Sequence, residues 1–459
     1  LVKLDSTQFL LPGFIDTHVH AAQFANIGIG YSLPLLDWLD TFTFPEEAKF
    51  ADLNYARRVY EAAVSTFIRH GTTTAVYYAT IHTDSTSALV DIVRRRGQRA
   101  WVGKVNMDRN APEYYIETTE DSLAETERFI QTTLKSTPAE NQISTVLSSS
   151  LSSSPVSDSS SPILPLVTPV ITPRFVGSCS VPLMKGLAQL ARQYQLPIQS
   201  HLSENQAEIA WIEGLHPECQ SYTDIYRTYG LLGDQPSAST SATETTATNA
   251  QGGIPRSIMA HCVHPKPDEL TILRDYQVGV AHCPNSNFAL GSGMAHVRNL
   301  WNYSLAVGLG TDVSGGSSPS MVDAMRQAAT ASRIRQMAQS AASRTTTAGE
   351  SDSSPTAAAD RLLTPLTIGE VLYMATLGGA EVLGWSERLG SFAPGKTFDA
   401  LVAGGSFNEL NPVALNEGRA SGPQSHKWWL NHLERFVYLG DDRNIKQVFV
   451  QGKCIHQLD

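Results

Sequence analysis

Pro12-Gly13-Phe14-Ile15-Asp16-Thr17-His18-Val19-His20 is the stretch on which the fold reading turns. A Pro-Gly turn leads into an apolar run, and the run reads as a buried strand ending in two histidines one residue apart. Side chains alternate along a strand, so His18 and His20 project to the same face and together can hold one metal ion. Two packing or surface histidines would give the same pattern. The pair therefore has to be judged by what the rest of the chain supplies.

Working outward, similar apolar runs recur at Thr72 to Tyr77, Arg99 to Val105, Leu166 to Ile171, Pro197 to His201, Ser257 to His261, Gly279 to Cys283 and Ala306 to Asp312, which with Phe14 to His18 makes eight. Helix-like segments lie between most of them, among them Leu53 to His70, Thr118 to Thr133, Val181 to Tyr194 and Asp268 to Tyr276. Strand-like runs alternating with helices predict an α/β fold, a closed (β/α)8 TIM barrel rather than an open sheet. Such barrels carry their chemistry at the C-terminal ends of the strands. His18 and His20 end the first run, His201 the fifth, His261 the sixth and Asp312 the eighth.

Imidazoles and a carboxylate around an open position suit Zn2+, which takes nitrogen and oxygen donors in four- or five-coordinate geometry. Taken singly, His201 reads equally as a packed core residue, and Asp312 in Gly310-Thr311-Asp312 as a cap or turn residue. Jointly, a metal accounts for several polar residues on one rim at once. Glu204, three residues after His201, lies close enough to handle the proton of a metal-activated water, although a solvated glutamate at a helix start is the plainer reading.

Composition sets the limits of this reading. A chain of 459 residues with 42% hydrophobic residues has room for one large barrel plus a smaller appendage. A formal net charge of −10 argues against nucleic acid as a partner. No run approaches the roughly 20 apolar residues of a membrane span, and no signal-peptide pattern opens the chain, so a soluble cytoplasmic protein without a membrane partner is expected. Cys179, Cys219, Cys262, Cys283 and Cys454 are scattered without Cys-x-x-Cys pairing, as suits a reducing compartment.

Three stretches, near 136–165, 235–255 and 339–360, are rich in Ser, Thr, Ala and Pro and read as flexible surface insertions. After the eighth run a helical piece, Thr367 to Leu383, precedes a turn and strand at Leu389 to Val402; Arg435 to Leu439 and Lys446 to Val450 read as the last strands. The expected division is a remnant of a small β domain at 1–8, the barrel at 9–385, and a return to the small domain at 386–459. Leu1 in place of Met, with the first motif following almost at once, reads as a chain lacking its natural N-terminal portion.

Several of these motifs resemble the amidohydrolase superfamily, and within it the guanine deaminase family. The opening Pro-Gly-Phe-Ile-Asp-Thr-His-Val-His fits the superfamily at large. The narrower likeness rests on His20-Ala21-Ala22-Gln23, Thr172-Pro173-Arg174-Phe175, Gln199-Ser200-His201-Leu202-Ser203-Glu204, His282-Cys283-Pro284-Asn285-Ser286-Asn287, Gly308-Leu309-Gly310-Thr311-Asp312 and Tyr438-Leu439-Gly440-Asp441-Asp442-Arg443-Asn444. The resemblance implies one Zn2+ per subunit held by His18, His20, His201 and Asp312, with His261 beside it and Glu204 as the proton carrier. It implies a small-molecule substrate, guanine, oriented by Gln23 and Arg174 against Phe175, with His20, His201, Glu204 and Asp312 also facing it. His82 and Asn285 are further pocket candidates.

A second metal is not expected, because Thr172 to Phe175 stands where two-metal relatives carry a bridging lysine. The likeness also implies a homodimer and a small β-sandwich completed by an N-terminal segment. Other readings are deamination of a pterin, triazine or adenine-type ring, or a non-catalytic scaffold. The cytidine-deaminase design is set aside, since its Pro-Cys-x-x-Cys element is missing from this sequence.

Overall fold

A computed structural model describes residues 3–5, 7–136, 164–235, 257–346, 362–404 and 426–458. The eight apolar runs form the staves of a parallel barrel. They are β2 (Phe14–His20), β3 (Thr72–Tyr78), β4 with β5 (Arg99–Gly103, Val105–Asn106), β6 with β7 (Val167–Pro169, Thr172–Pro173), β8 (Gln199–Leu202), β9 (Ile258–His261), β10 (Gly279–His282) and β11 (Ala306–Leu309). The hydrogen-bonded order is β2-β3-β4-β6, then β5-β7, then β8-β9-β10-β11, and an Ile171 to Ile198 bridge joins the two halves.

The ring closes between β11 and β2. Thr17 Oγ1 donates to the Leu309 carbonyl at 2.9 Å, and just beyond β11 the Asp312 N–H donates to the His18 carbonyl at 2.9 Å. β2 and β3 are buried along their whole length, as expected of strands covered on both faces by core and helices. The outer helices follow the amphipathic segments: Leu53–Arg69, Thr119–Lys135, Val181–Tyr194 and Pro267–Asp275. Among the described residues no helix is long and apolar enough to cross a membrane.

Beside the barrel lies one antiparallel sheet in the order β1-β12-β13-β14, formed by β1 (Gln8–Pro12), β12 (Ala400–Gly404), β13 (Ile445–Val450) and β14 (Lys453–Gln457). Buried Arg99 of β4 ties the barrel to it, donating to Asp399 from Nε at 3.2 Å and from Nη2 at 3.4 Å.

Several expectations need correcting. Arg435 to Leu439 is not a strand; it is the last turn of a helix, His426–Leu439. Locally Arg-Phe-Val-Tyr-Leu reads as β, but His432 and Phe436 recur at helical spacing and both pack on Phe9 of β1, with ring centroids 5.6 Å away. Arg326 then satisfies the helix end by donating to the Val437 carbonyl at 2.6 Å.

The first stave runs to His20 rather than His18, and the eighth stops at Leu309 rather than Asp312, because Asp312 takes a left-handed backbone (φ 49°) that no strand continues. The stretch Thr367 to Leu383 is two helices, Ile368–Ala375 and Leu377–Val382, broken at Thr376. The stretch expected to be a flexible insertion at 339–360 begins inside a helix, Met321–Thr346, whose residues ahead of that stretch are rich in the helix formers Ala, Met, Arg and Gln. The rest of that stretch, and nearly all of 136–165 and 235–255, lie outside the described residues.

Candidate active site

Period-two alternation on β2 turns both His18 and His20 into the C-terminal mouth of the barrel, where β8 brings His201, β9 brings His261 and the turn after β11 brings Asp312. His20 Nε2 and His201 Nε2 stand 3.2 Å apart. Asp312 Oδ1 lies 3.1 Å from His18 Nε2 and 3.5 Å from His20 Nε2. Two groups, His18 with His20 and His201, and His18 with His261 and Asp312, bring their ligand atoms within 4.8 Å of one another.

The residues fit a metal ion. Bonds of about 2.0–2.1 Å in a tetrahedral site put neighbouring ligand atoms about 3.3 Å apart, close to the 3.2 Å, 3.1 Å and 3.5 Å of His20–His201, His18–Asp312 and His20–Asp312. Their protonation fits as well. Desolvation, then the neighbouring imidazoles, push His20 and His201 well below the ordinary histidine range, so their rings are neutral and offer lone pairs. Burial lowers His18 too. Burial works to raise Asp312, but His18, His261 and His20 overcome it and hold the carboxylate ionised.

A further layer aims these ligands. His201 Nδ1 contacts the Arg174 carbonyl at 2.6 Å, a contact that makes Nδ1 the protonated nitrogen and leaves Nε2 free toward the cluster. His261 Nδ1 meets Asn287 Oδ1 at 3.0 Å. Buried Asp16 accepts from the Thr311 N–H at 3.0 Å, the Thr311 hydroxyl at 2.5 Å and the His18 N–H at 3.2 Å, so one carboxyl fixes both the His18 strand and the Asp312 turn. Burial pushes that carboxyl up to about 7.

Glu204 stands at the edge of the cluster. Its Oε2 lies 3.4 Å from His261 Nε2, and its Oε1 accepts from the Ser292 hydroxyl at 3.0 Å. Burial raises its carboxyl to about 7, so both protonation states are accessible near neutrality. Glu208 steadies it by accepting from the Glu204 N–H at 3.1 Å, from the Asn205 N–H at 3.2 Å and from the Tyr222 hydroxyl at 2.8 Å.

The cleft over the cluster is walled by Gln23, Arg174 and Phe175, with Trp38, Leu39 and Leu290 supplying apolar surface. Neither of the two further candidates is among the residues that wall it. His82 precedes the Thr83–Arg96 helix with its ring against Tyr115, and Asn285 is consumed by Asp323 and Ser317.

Sequence reasoning missed Glu47. This fully buried carboxylate takes Arg174 Nη1 on Oε2 at 2.7 Å and Nη2 on Oε1 at 3.0 Å, Gln23 Nε2 on Oε1 at 2.8 Å and the Tyr115 hydroxyl on Oε2 at 2.6 Å. It sits in the short Phe44–Ala48 helix, in a stretch that carries no motif. Asp16 and Asn287 lie within the motifs that carry the family resemblance, but the sequence assigns neither a role. In retrospect, the signal for Asp16 was its place on the strand that carries both histidines.

Residues 9–348 and 356–455 match the amidohydrolase family. The guanine deaminase of Dictyostelium discoideum is 38% identical over 448 residues, 98% of this chain and 82% of its own. That of Homo sapiens is 37% identical over 455 residues, 99% of this chain and 84% of its own. Among solved structures, the guanine deaminase from C. acetobutylicum with guanine bound in its active site superposes with a TM-score of 0.76 at 35% identity, covering 98% of this chain and 87% of that one.

Proposed function

This chain belongs to the amidohydrolase family, and from that premise we propose that it is a metal-dependent deaminase hydrolysing guanine to xanthine and ammonia. The observation that carries the reading is Glu204, a carboxyl raised to about 7 at the edge of a neutral imidazole and aspartate cluster, beneath a wall holding Gln23 and Arg174.

His18, His20, His201 and Asp312 would hold one Zn2+. When bound, the ion supplies the Lewis acidity that makes a water nucleophilic near neutral pH. Gln23 and Arg174 orient the base by hydrogen bonds and Phe175 lies against it, so that the carbon bearing the exocyclic amine faces the cluster. Glu204 takes a proton from the attacking water and delivers it to the adjacent ring nitrogen. It then carries the second proton to the departing amine. A C–O bond forms, a C–N bond breaks, and ammonia leaves. His261, fixed by Asn287, lies between Glu204 and Asp312 and steadies the charge that moves during this transfer.

The four-stranded sheet is read as part of the small β domain formed by 1–8 and 386–459, with the barrel at 9–385. A homodimer and a cytoplasmic location are carried over from the family likeness and from the unpaired cysteines.

The test is ammonia release from guanine by zinc-replete protein, with chelated and zinc-restored samples alongside and a panel of pterin, triazine and adenine-type rings. Release from guanine that disappears on chelation and returns with zinc supports the proposal. Binding of guanine without ammonia release would sink it in favour of a scaffold, and preferential release from another ring would reassign the substrate.

A further inference from the structure

Gln23 follows the first stave and Arg174 the fourth, and one turn of helix sets both. Phe44 and Glu47, three residues apart and on one face of the Phe44–Ala48 helix, grip the Arg174 guanidinium. Its flat face lies over the Phe44 ring, 5.1 Å from the centroid, while its two terminal nitrogens sit on the two oxygens of Glu47. The same carboxylate takes Gln23 Nε2 and the Tyr115 hydroxyl, so each of its oxygens receives two donors. Glu47 has no exposed surface and is absent from the cleft wall, whereas Arg174 and Gln23 line it.

This arrangement decides what the wall can offer a ligand. Gln23 Oε1 already accepts from the Ser314 N–H at 3.3 Å and lies 3.4 Å from the Ser314 hydroxyl, whose one proton it shares with Asn26 Oδ1 at 3.0 Å. Turning the amide over would set its oxygen against the Glu47 carboxylate and its NH2 against the Ser314 N–H. Its orientation is therefore locked, and its second N–H is what remains for a ligand. Arg174 has only donors, and Glu47 keeps it cationic: burial works to lower its pKa, but the adjacent carboxylate more than compensates and raises it. Both base-facing polar groups on this wall thus present N–H and no acceptor.

We infer that Glu47 is the positioning residue that makes this wall a donor-only surface, and that it thereby selects a ring oxo group over a ring amino group. The inference rests on the guanine deaminase reading. An oxo purine can turn its carbonyl oxygen and N7, two acceptors on one edge, toward such a wall. An amino group in place of the oxo group would set N–H against N–H and leave buried donors unpaired, the kind of mismatch by which polar sites discriminate most strongly.

The test compares guanine with 2,6-diaminopurine, which keeps the 2-amino leaving group and replaces the 6-oxo group by an amine. The kcat/KM ratio of the two is measured for wild type, Glu47→Gln and Tyr115→Phe, with zinc content and thermal melting recorded for each. Glu47→Gln lets the Gln23 amide turn and removes the charge opposite Arg174. We expect its guanine preference to fall at least about tenfold, through a higher KM for guanine, with kcat changed less than about threefold and zinc unchanged.

Tyr115→Phe deletes one of the four donors and should shift the ratio the same way by a smaller factor. It decides the matter if Glu47→Gln does not fold. Wild-type preference in whichever variants fold, or an equal loss on both substrates, overturns the inference while leaving the deaminase reading intact. A zinc-replete wild type that releases no ammonia from guanine overturns both.

Discussion

Glu204 shows how far a single side chain is set by its surroundings. Its oxygens are held by Ser292 and faced by His261, and its backbone by Glu208, so its carboxyl is both aimed and tuned. Glu204→Gln keeps the shape and the Ser292 contact but cannot carry a proton. Turnover should drop by about 10^3-fold or more with zinc content intact, measured by ammonia release alongside metal analysis; near-normal turnover would remove Glu204 from the mechanism. Asp16 acts at one remove, through Thr311 and the His18 backbone. Asp16→Asn, which exchanges one of the two acceptor oxygens for a donor, should weaken zinc binding by about 10–100-fold in a competition titration, with turnover largely recovered at saturating zinc.

At the scale of elements, the helix Leu377–Val382 closes the floor of the barrel because two glycines let it approach. A Cβ on Gly379 would meet the Ile15 Cβ at 2.8 Å, and one on Gly378 the Val307 carbonyl at 2.8 Å. Gly379→Val should cost about 2 kcal/mol or more in urea unfolding, since neither strand nor helix can retreat from a packed core. The Gly-Gly pair is visible in the sequence, but the partner it approaches is not. The same limit explains the misread helix His426–Leu439, whose helical spacing gains meaning only from Phe9 at the other end of the chain. The staves, by contrast, were legible as apolar runs because each is short, buried and bounded by turns or amphipathic helices.

For the whole molecule, the joint between barrel and small sheet rests on a buried ion pair. Arg99 is fully enclosed and donates to Asp399 and to the Leu164 and Pro165 carbonyls, while Asp399 Oδ1 also accepts from the Gln451 N–H at 2.8 Å. Arg99→Met would leave Asp399 buried without its cation, and a loss of about 3–5 kcal/mol is expected in denaturant unfolding; a change below about 1 kcal/mol would show that the joint does not depend on the pair.

The imidazole and carboxylate cluster spans the chain in the same way. His18, His20, His201, His261 and Asp312, which the structure brings together, could be picked out from the sequence because strand ends in an alternating β and α pattern share one rim, and because period two puts His18 and His20 on one face. Those are local rules, and local rules are what a sequence carries by itself: eight staves, their order and the end of the barrel at which the histidines and Asp312 gather. Glu47 obeys no such rule. It meets Arg174 across 127 residues, and only the closed barrel brings that carboxylate beneath the guanidinium and the Gln23 amide. The tertiary structure thus decided which hydrogen-bonding face the pocket shows, because a buried charge is placed by the partners that satisfy it and not by its neighbours in the chain.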